Sequence, residues 1–356
     1  MRMRLGEVVM TTLFGTSHGP SVGAMIEGLP AGLKLDEREI TSALALRKTG
    51  GSLSSSRKED DEVLLRSGVH NGCTTGQPLV LEIMNHDARS SDYSFLPDRP
   101  RPAHQDLPMT ERSNGHADLR GGGSSSARLT APLVAAAAIM RPLLDGMGVR
   151  ITAHVGAIGD VEAPLPVHGA SFADLDLRCQ DAEAASAMRA LVEATRSERD
   201  SIGSRVDLIV SGLPMGMGEP WFDGVEPALA RAMMAVPGAR ALEVGQGVRA
   251  LRMRGSEHHG AWRHGVGGPE LHSEVGEGAL GGLTSGADLV LRLTLKPPSS
   301  IPRPQPTIDL RTSEEVELTV KGRHDPVLAP RGVAVVEALA VLVLTDLAVR
   351  GGHLHG

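Results

Sequence analysis

The sequence predicts a mixed α/β fold built as a single domain. Segments with strand and helix patterns interleave along the chain, no linker-like stretch divides it, and 356 residues are enough to bury a large core. Composition narrows the class. The net charge is −7 and the pI about 6.1, which argues against a polyanion binder with its basic stripe. Aromatic residues are 2% of the chain, with one tyrosine, too few for a platform that stacks nucleic-acid bases. Cys73 and Cys179 offer neither a disulfide framework nor metal-ligand spacing, so no metal and a reducing cytoplasm are expected. The N-terminal MRMRLGEVV has no apolar run of signal-peptide length.

The elements follow in order. Val8–Leu13 reads as a strand. A helix is expected from Asp36, which can cap it, with Glu39 completing a capping box and Ile40, Ala43, Leu44 and Leu46 supplying an apolar face. Gly50 and Gly51 end it and open a Ser-rich loop, Ser52–Ser56. Val63–Leu65 and Leu79–Met84 read as strands. Asp92–Asp118 is proline-rich and aperiodic, so a long loop is expected, and loops of that length are often functional. After Gly121–Gly123, the segment Ser126–Met147 is apolar on all sides near Ala131–Met140 and should be a helix buried on both faces. Asp181–Arg199 has an amphipathic pattern, Val206–Val210 and Leu289–Leu295 read as strands, and Pro227–Met234 as a short helix. Val333–Arg350 is the last helix. Its apolar run is interrupted by Glu337, Thr345 and Asp346, which suits a buried helix better than a membrane span. The domain is expected to cover residues 1–350, with a frayed tail over 351–356.

Four loops carry candidate chemistry. GTSHG (Gly15–Gly19) places Ser17 and His18 in a glycine turn after a strand, where backbone and side chains can meet a ligand. A satisfied turn histidine would give the same local pattern. In RPAHQD (Arg101–Asp106), Arg101 is suited to bidentate grip of a carboxylate or phosphate, and His104 to proton transfer near neutral pH. GGGSSSAR (Gly121–Arg128) sets free N–H groups, three serines and Arg128 at the start of a helix, an arrangement that suits an anion. It is neither a P-loop nor a dinucleotide fingerprint. GRHDP (Gly322–Pro326) gathers Arg323, His324 and Asp325 in a charged turn, where Asp325 can act as a base or simply be solvated. His258–His259 lack a third metal ligand and read as loop.

Taken in this order, the loops resemble those of chorismate synthase over nearly the whole chain. The match runs from GEVVMTTLFGTSHG through SGVHNGCTTGQPL, RPAHQD, LRGGGSSSARLT, DSIGSRVDLIVSGLPMGMGEPWFD and LEVGQG to GALGGLTSG, LKPPSSI and KGRHDPVLAPR. The resemblance implies helices sandwiched between antiparallel sheets and a homotetramer. It implies conversion of 5-enolpyruvylshikimate 3-phosphate to chorismate and phosphate, an anti 1,4-elimination that uses reduced FMN delivered by an external flavin reductase. It further implies that His18 protonates the leaving phosphate, His104 serves the flavin as proton donor, and Asp325 is the base. Ser17, Lys48, Arg57, Arg101, Ser126, Arg128 and Arg323 would hold the substrate, and Ser125, Gly281, Gly282, Lys296 and Ser300 the cofactor.

The sequence departs from that pattern at several positions. GESHG becomes GTSHG, RPGHAD becomes RPAHQD, and the arginine and glutamate of GGGRSSARET become Ser124 and Leu129. The arginine-rich loop is thinned at Lys48 and Leu53. Pro237 stands for an asparagine, and Glu274 and Glu277 bring acid to a site expected to take an anionic cofactor, where an uncompensated carboxylate is costly. Three readings are therefore open. The chain makes chorismate with drifted flavin contacts; or it is a divergent paralog acting on a related cyclohexene phosphate; or it is a non-catalytic relative.

Overall fold

The computed structural model describes residues 2–48, 61–86, 90–273, 275–320 and 325–354. Two five-stranded antiparallel sheets face each other. The first runs, edge to edge, through Arg4–Leu5, Met10–Gly15, Ser21–Glu27, Leu79–Met84 and Val63–Ser67. The second runs through Ala239–Val244, Leu289–Leu295, Ser204–Ser211, Arg150–Ile158 and Val161–Glu162. Each sheet turns one alternating face inward, as strand geometry requires: Val22, Ala24, Ile26, Leu79, Leu81 and Ile83 in the first, Val206, Leu208, Val210, Leu291 and Leu293 in the second.

Helices fill the space between. The helix α1 covers Glu37–Arg47, α2 Asp106–Arg112, α3 Thr130–Asp145, α4 Ala182–Ser197, α5 Val225–Met233 and α6 Ala329–Arg350. The first sheet packs on α3, the second on α6, and α3 and α6 pack on each other, with α1 against both. Of the 22 residues of α6, 18 are buried, so its valine-rich composition is explained by tertiary burial rather than helix propensity. Among the described residues, the two helices long and apolar enough to cross a membrane, Ala127–Asp145 and Ala329–Arg350, are these central ones. The expected sandwich of helices between antiparallel sheets is therefore what the chain forms.

Several boundaries differ from expectation, for physical reasons. Asp36 does cap α1, accepting from the Arg38 N–H at 2.8 Å, but Leu46 faces outward. The long loop after Asp92 contains α2, whose Pro108 sits in the first turn, where a missing N–H costs nothing. The helix expected from Ser126 begins at Thr130, because Gly123–Ser125 and Ala127–Leu129 form two successive 3₁₀ turns. Residues 351 to 354 fold back: the His353 and Leu354 N–H groups both reach the Ala348 carbonyl, and Leu354 packs on the core.

Candidate active site

The glycine run at 121–123 is the hub of the site. Gly121 has φ +63° and lies so close to the GTSHG turn that a Cβ there would come within 2.8 Å of His18 Cδ2 and 2.9 Å of Ser17 Oγ. Only glycine permits both the backbone angle and the approach. The Ser17 N–H donates to the Gly123 carbonyl at 3.1 Å. Ser17 is 1% exposed, and among the described residues its Oγ has no hydrogen-bond partner. A buried orphan hydroxyl is costly, and donating its hydrogen to a ligand oxygen would remove that cost.

His18 stands edge-on to Tyr93, ring centroids 5.2 Å apart, and the Arg101 guanidinium lies 5.3 Å from the centre of the same ring. Asn85 fixes the turn from below, donating through Nδ2 to the carbonyls of Thr16 at 3.0 Å and Gly19 at 2.9 Å. Its Oδ1 accepts from Arg128 Nε at 2.9 Å.

The expected anion-gripping arginines are differently employed. Arg101 forms a two-pronged pair with buried Asp106, Nε to Oδ2 at 2.9 Å and Nη2 to Oδ1 at 2.6 Å, and Nη2 also donates to the Gly121 carbonyl. Arg128 is buried, pairs closely with Asp61 and donates to the Met84 carbonyl at 3.1 Å. Arg47 reaches the other oxygen of Asp61 at 3.3 Å and Thr130 Oγ1 at 3.0 Å. Arg101 and Arg128 thus hold loops together in this structure instead of presenting open forks. Lys48 caps the C-terminal end of α1, its carbonyl taking a bond from Arg178. Arg57, Arg323 and Glu274 lie outside the described residues.

His104 joins a second pair of loops. Its Nδ1 meets the Pro102 carbonyl at 2.9 Å, which makes Nδ1 the protonated nitrogen, and its Nε2 accepts from Ser300 Oγ at 3.0 Å. Lys296 Nζ donates to the Ala103 carbonyl at 3.1 Å and to Ser299 Oγ at 2.7 Å. Burial, reinforced by Arg101 and Lys296, lowers the His104 pKa below its ordinary value. Asp325 pairs with Arg331 Nη1 at 2.6 Å. It lines a narrow cleft of about 60 Å³ shared with Arg47, Ala127, Thr130 and Pro237.

Thr130 and Pro237 also border a larger cleft of about 490 Å³, where Ser124, Ser125 and Ser126 and the guanidinium-bearing Arg2, Arg4 and Arg231 surround an apolar wall of Leu13, Leu129 and Leu133. Its size and its mix of apolar surface with a few polar groups are those of a cofactor pocket. His18 and His104 line neither cleft; they reach this region through the 121–126 loop.

The sequence model of the chorismate synthase family matches residues 9–349. A chorismate synthase of Aeropyrum pernix is 47% identical over 97% of this chain and 92% of its own length. The chain belongs to the chorismate synthase family. A second relative, from Methanosarcina mazei, is 41% identical over 98% of this chain and 97% of its own length. A crystal structure of a chorismate synthase superposes with a TM-score of 0.75 at 26% identity, covering 99% of this chain and 94% of that one.

Against what chorismate synthase membership leads one to expect, the structure assembles some residues and separates others. Ser17 and His18 meet the glycine run, and His104, Lys296 and Ser300 meet each other. Gly281 and Gly282 instead form the tip of the 279–284 hairpin, where the Gly282 carbonyl accepts from the Val225 N–H at the start of α5. Glu277, expected beside an anion, is paired with His258 Nε2 at 3.2 Å. Tyr93, Asn85, Asp61 and Asp106 were not singled out from sequence. Tyr93, the sole tyrosine, carried a usable signal, and Asp106 lies five residues from its partner Arg101 within RPAHQD; Asn85 and Asp61 act through long-range pairing that spacing does not reveal.

Proposed function

We propose that this chain is a shikimate-pathway lyase that converts 5-enolpyruvylshikimate 3-phosphate to chorismate and phosphate with reduced FMN. The observation that carries the reading is the buried Ser17 hydroxyl, unpartnered among the described residues, beside His18 under Gly121, within a chain that matches the family over residues 9–349. A phosphate oxygen satisfies that hydroxyl, and His18 next to it donates the proton that makes phosphate a good leaving group. Asp325, oriented by Arg331, accepts the ring proton. Burial favours the neutral form of His104, whose Nε2 accepts from Ser300, so it acts as a relay rather than a fixed cation.

The larger cleft fits the cofactor: three serine hydroxyls and three arginines suit a phosphate-bearing group, and the leucine wall suits a flat ring. Reduced FMN supplies the electron-rich partner that helps phosphate leave; the protein supplies position and charge. Ser124–Ser126 would hold it, with Lys296 and Ser300 acting through His104. Exposed apolar side chains at Trp221 (82%) and Phe222 (88%) support self-association, read here as a homotetramer. A cytoplasmic location and a separate flavin reductase complete the proposal. The paralog and non-catalytic readings are disfavoured by the identity of the relatives and by retention of His18, His104 and Asp325.

The test is anaerobic turnover of the substrate with photoreduced FMN, following chorismate absorbance and phosphate release. The expected result is product that depends on reduced flavin, with His18→Ala slowing turnover by about 10²–10⁴-fold. Absence of product would sink the assignment, and a near-normal His18→Ala rate would remove His18 from the proton-donor role.

A further inference from the structure

The His104 loop is clamped from two sides. On one side Arg101 Nη2 donates to the Gly121 carbonyl at 2.6 Å, and Gln105 Nε2 donates to the Gly122 carbonyl at 2.9 Å. On the other, Lys296 Nζ donates to the Ala103 carbonyl and Ser300 Oγ to His104 Nε2. Between the clamps, Ala103 has φ +55°. Alanine enters that left-handed region only where its surroundings force it, because Cβ crowds the following carbonyl. The backbone angle at Ala103 sets the direction in which residue 104 leaves the chain. Arg101 is committed to Asp106 and anchors the base of the loop, not its tip. That leaves the Gln105 side chain as the tie between the tip and the glycine run.

We propose that Gln105 is a positioning residue for His104: its bond to the Gly122 carbonyl, opposed by that of Lys296 to the Ala103 carbonyl, holds Ala103 left-handed and so keeps His104 seated on Ser300. Gln105 touches no reacting group; it acts through the backbone strain it maintains. The inference rests on the family assignment only for its catalytic readout, since the geometry it invokes is independent of the substrate.

The test uses full-length protein with Gln105→Ala, the near-isosteric Gln105→Met, Ala103→Gly, and the double variant Ala103→Gly/Gln105→Ala. His104 is followed by NMR titration of the labelled imidazole, alongside kcat and KM. Losing the Gln105 donor lets Ala103 relax and exposes His104. Both Gln105 variants are then expected to raise the His104 pKa toward an ordinary histidine and to lower kcat about tenfold, with KM changed less than threefold. Ala103→Gly alone is expected to change little, because Gln105 still holds the loop. In the double variant glycine adopts the same angle without strain, so the titration and most of kcat are restored. Unaltered His104 titration in both Gln105 variants overturns the proposal, and so does failure of Ala103→Gly to rescue. If the wild-type chain makes no chorismate, the titration still decides the structural claim.

Discussion

Asp61 receives two guanidiniums, Arg47 at 3.3 Å and Arg128 more closely, and its side chain is 1% exposed. Such a cluster adds little net stability over apolar packing, but removing one partner leaves charge stranded in a low dielectric. Asp61→Ala is therefore expected to destabilise the fold by about 3–5 kcal/mol, read as a lowered urea midpoint; a loss within ~1 kcal/mol would show that water reaches the two arginines. The same cluster explains a limit of sequence reading. GGGSSSAR pointed to Arg128 as an anion ligand, because nothing in its neighbourhood names the carboxylate 67 residues earlier that occupies it. Ser17 and His18 were legible since glycine turns beside polar side chains are local signals. Asn85, which fastens that turn and Arg128 at once, was not, because a single asparagine after a strand has many ordinary uses.

At the scale of elements, the strand Arg150–Ile158 pairs along one side with Ser204–Ser211, and only its last two residues pair on the other. Its open edge is closed by other means. The Ala153 N–H donates to Glu337 Oε1 of α6 at 2.7 Å, the Val155 N–H to the Arg178 carbonyl at 2.9 Å, and Arg141 of α3 donates to the Ile151 carbonyl at 3.1 Å. The central helices thus blunt an edge that would otherwise invite pairing. Burial of the Glu337 carboxyl pushes its pKa up to about 7, outweighing the backbone bond and Arg141. An acid raised from an ordinary 4.5 binds its proton more tightly when folded. Its contribution is favourable below the ordinary value and is lost as pH rises through about 7. Glu337→Gln keeps an acceptor for Ala153 without the charge. It should raise the melting temperature at pH 8 by a few degrees, corresponding to roughly 1–3 kcal/mol, and change it little at pH 4.5. The buried histidines titrate alike in both proteins, so the difference isolates Glu337; equal gains at both pH values would refute the charge argument. This edge device also marks what could be read in advance. Strands such as Leu79–Met84 and Leu289–Leu295 show in the sequence because their apolar residues recur on one face. Arg150–Ile158 and Ser21–Glu27 are buried along most of their length and mix glycine and alanine, so they lose the alternation that identifies a strand.

The whole molecule is closed by a contact between its two ends. Asp346, near the end of α6 and 4% exposed, accepts from the backbone N–H groups of Glu7, Val8 and Val9 at 3.1, 2.8 and 2.9 Å. Those three groups lie in the turn that joins Arg4–Leu5 to Met10–Gly15, the edge of the first sheet. The last helix, which packs on the second sheet through Arg150–Ile158 and Ser204–Ser211, is thereby also fastened to the first. The large cleft lies along this join, with Arg2, Arg4, Leu5 and Leu13 from the N-terminal segment and Leu339 from α6 in its wall. One carboxylate thus fastens the join along which lies the cleft proposed above for the cofactor, although the sequence marked Asp346 only as an interruption in an apolar run. Asp346→Ala strands three donors, and at ~1–3 kcal/mol for a buried group left unpaired, partial hydration brings the expected loss to about 3 kcal/mol or more. Asp346→Asn retains an acceptor oxygen and should lose less than half as much. FMN titration separates the two consequences. If the ends shape the cleft, Asp346→Ala weakens FMN binding well below its own unfolding transition, and Asp346→Asn largely preserves it. If FMN affinity is unchanged in folded Asp346→Ala, the contact serves stability alone and the cleft is shaped by α3 and the serine loop.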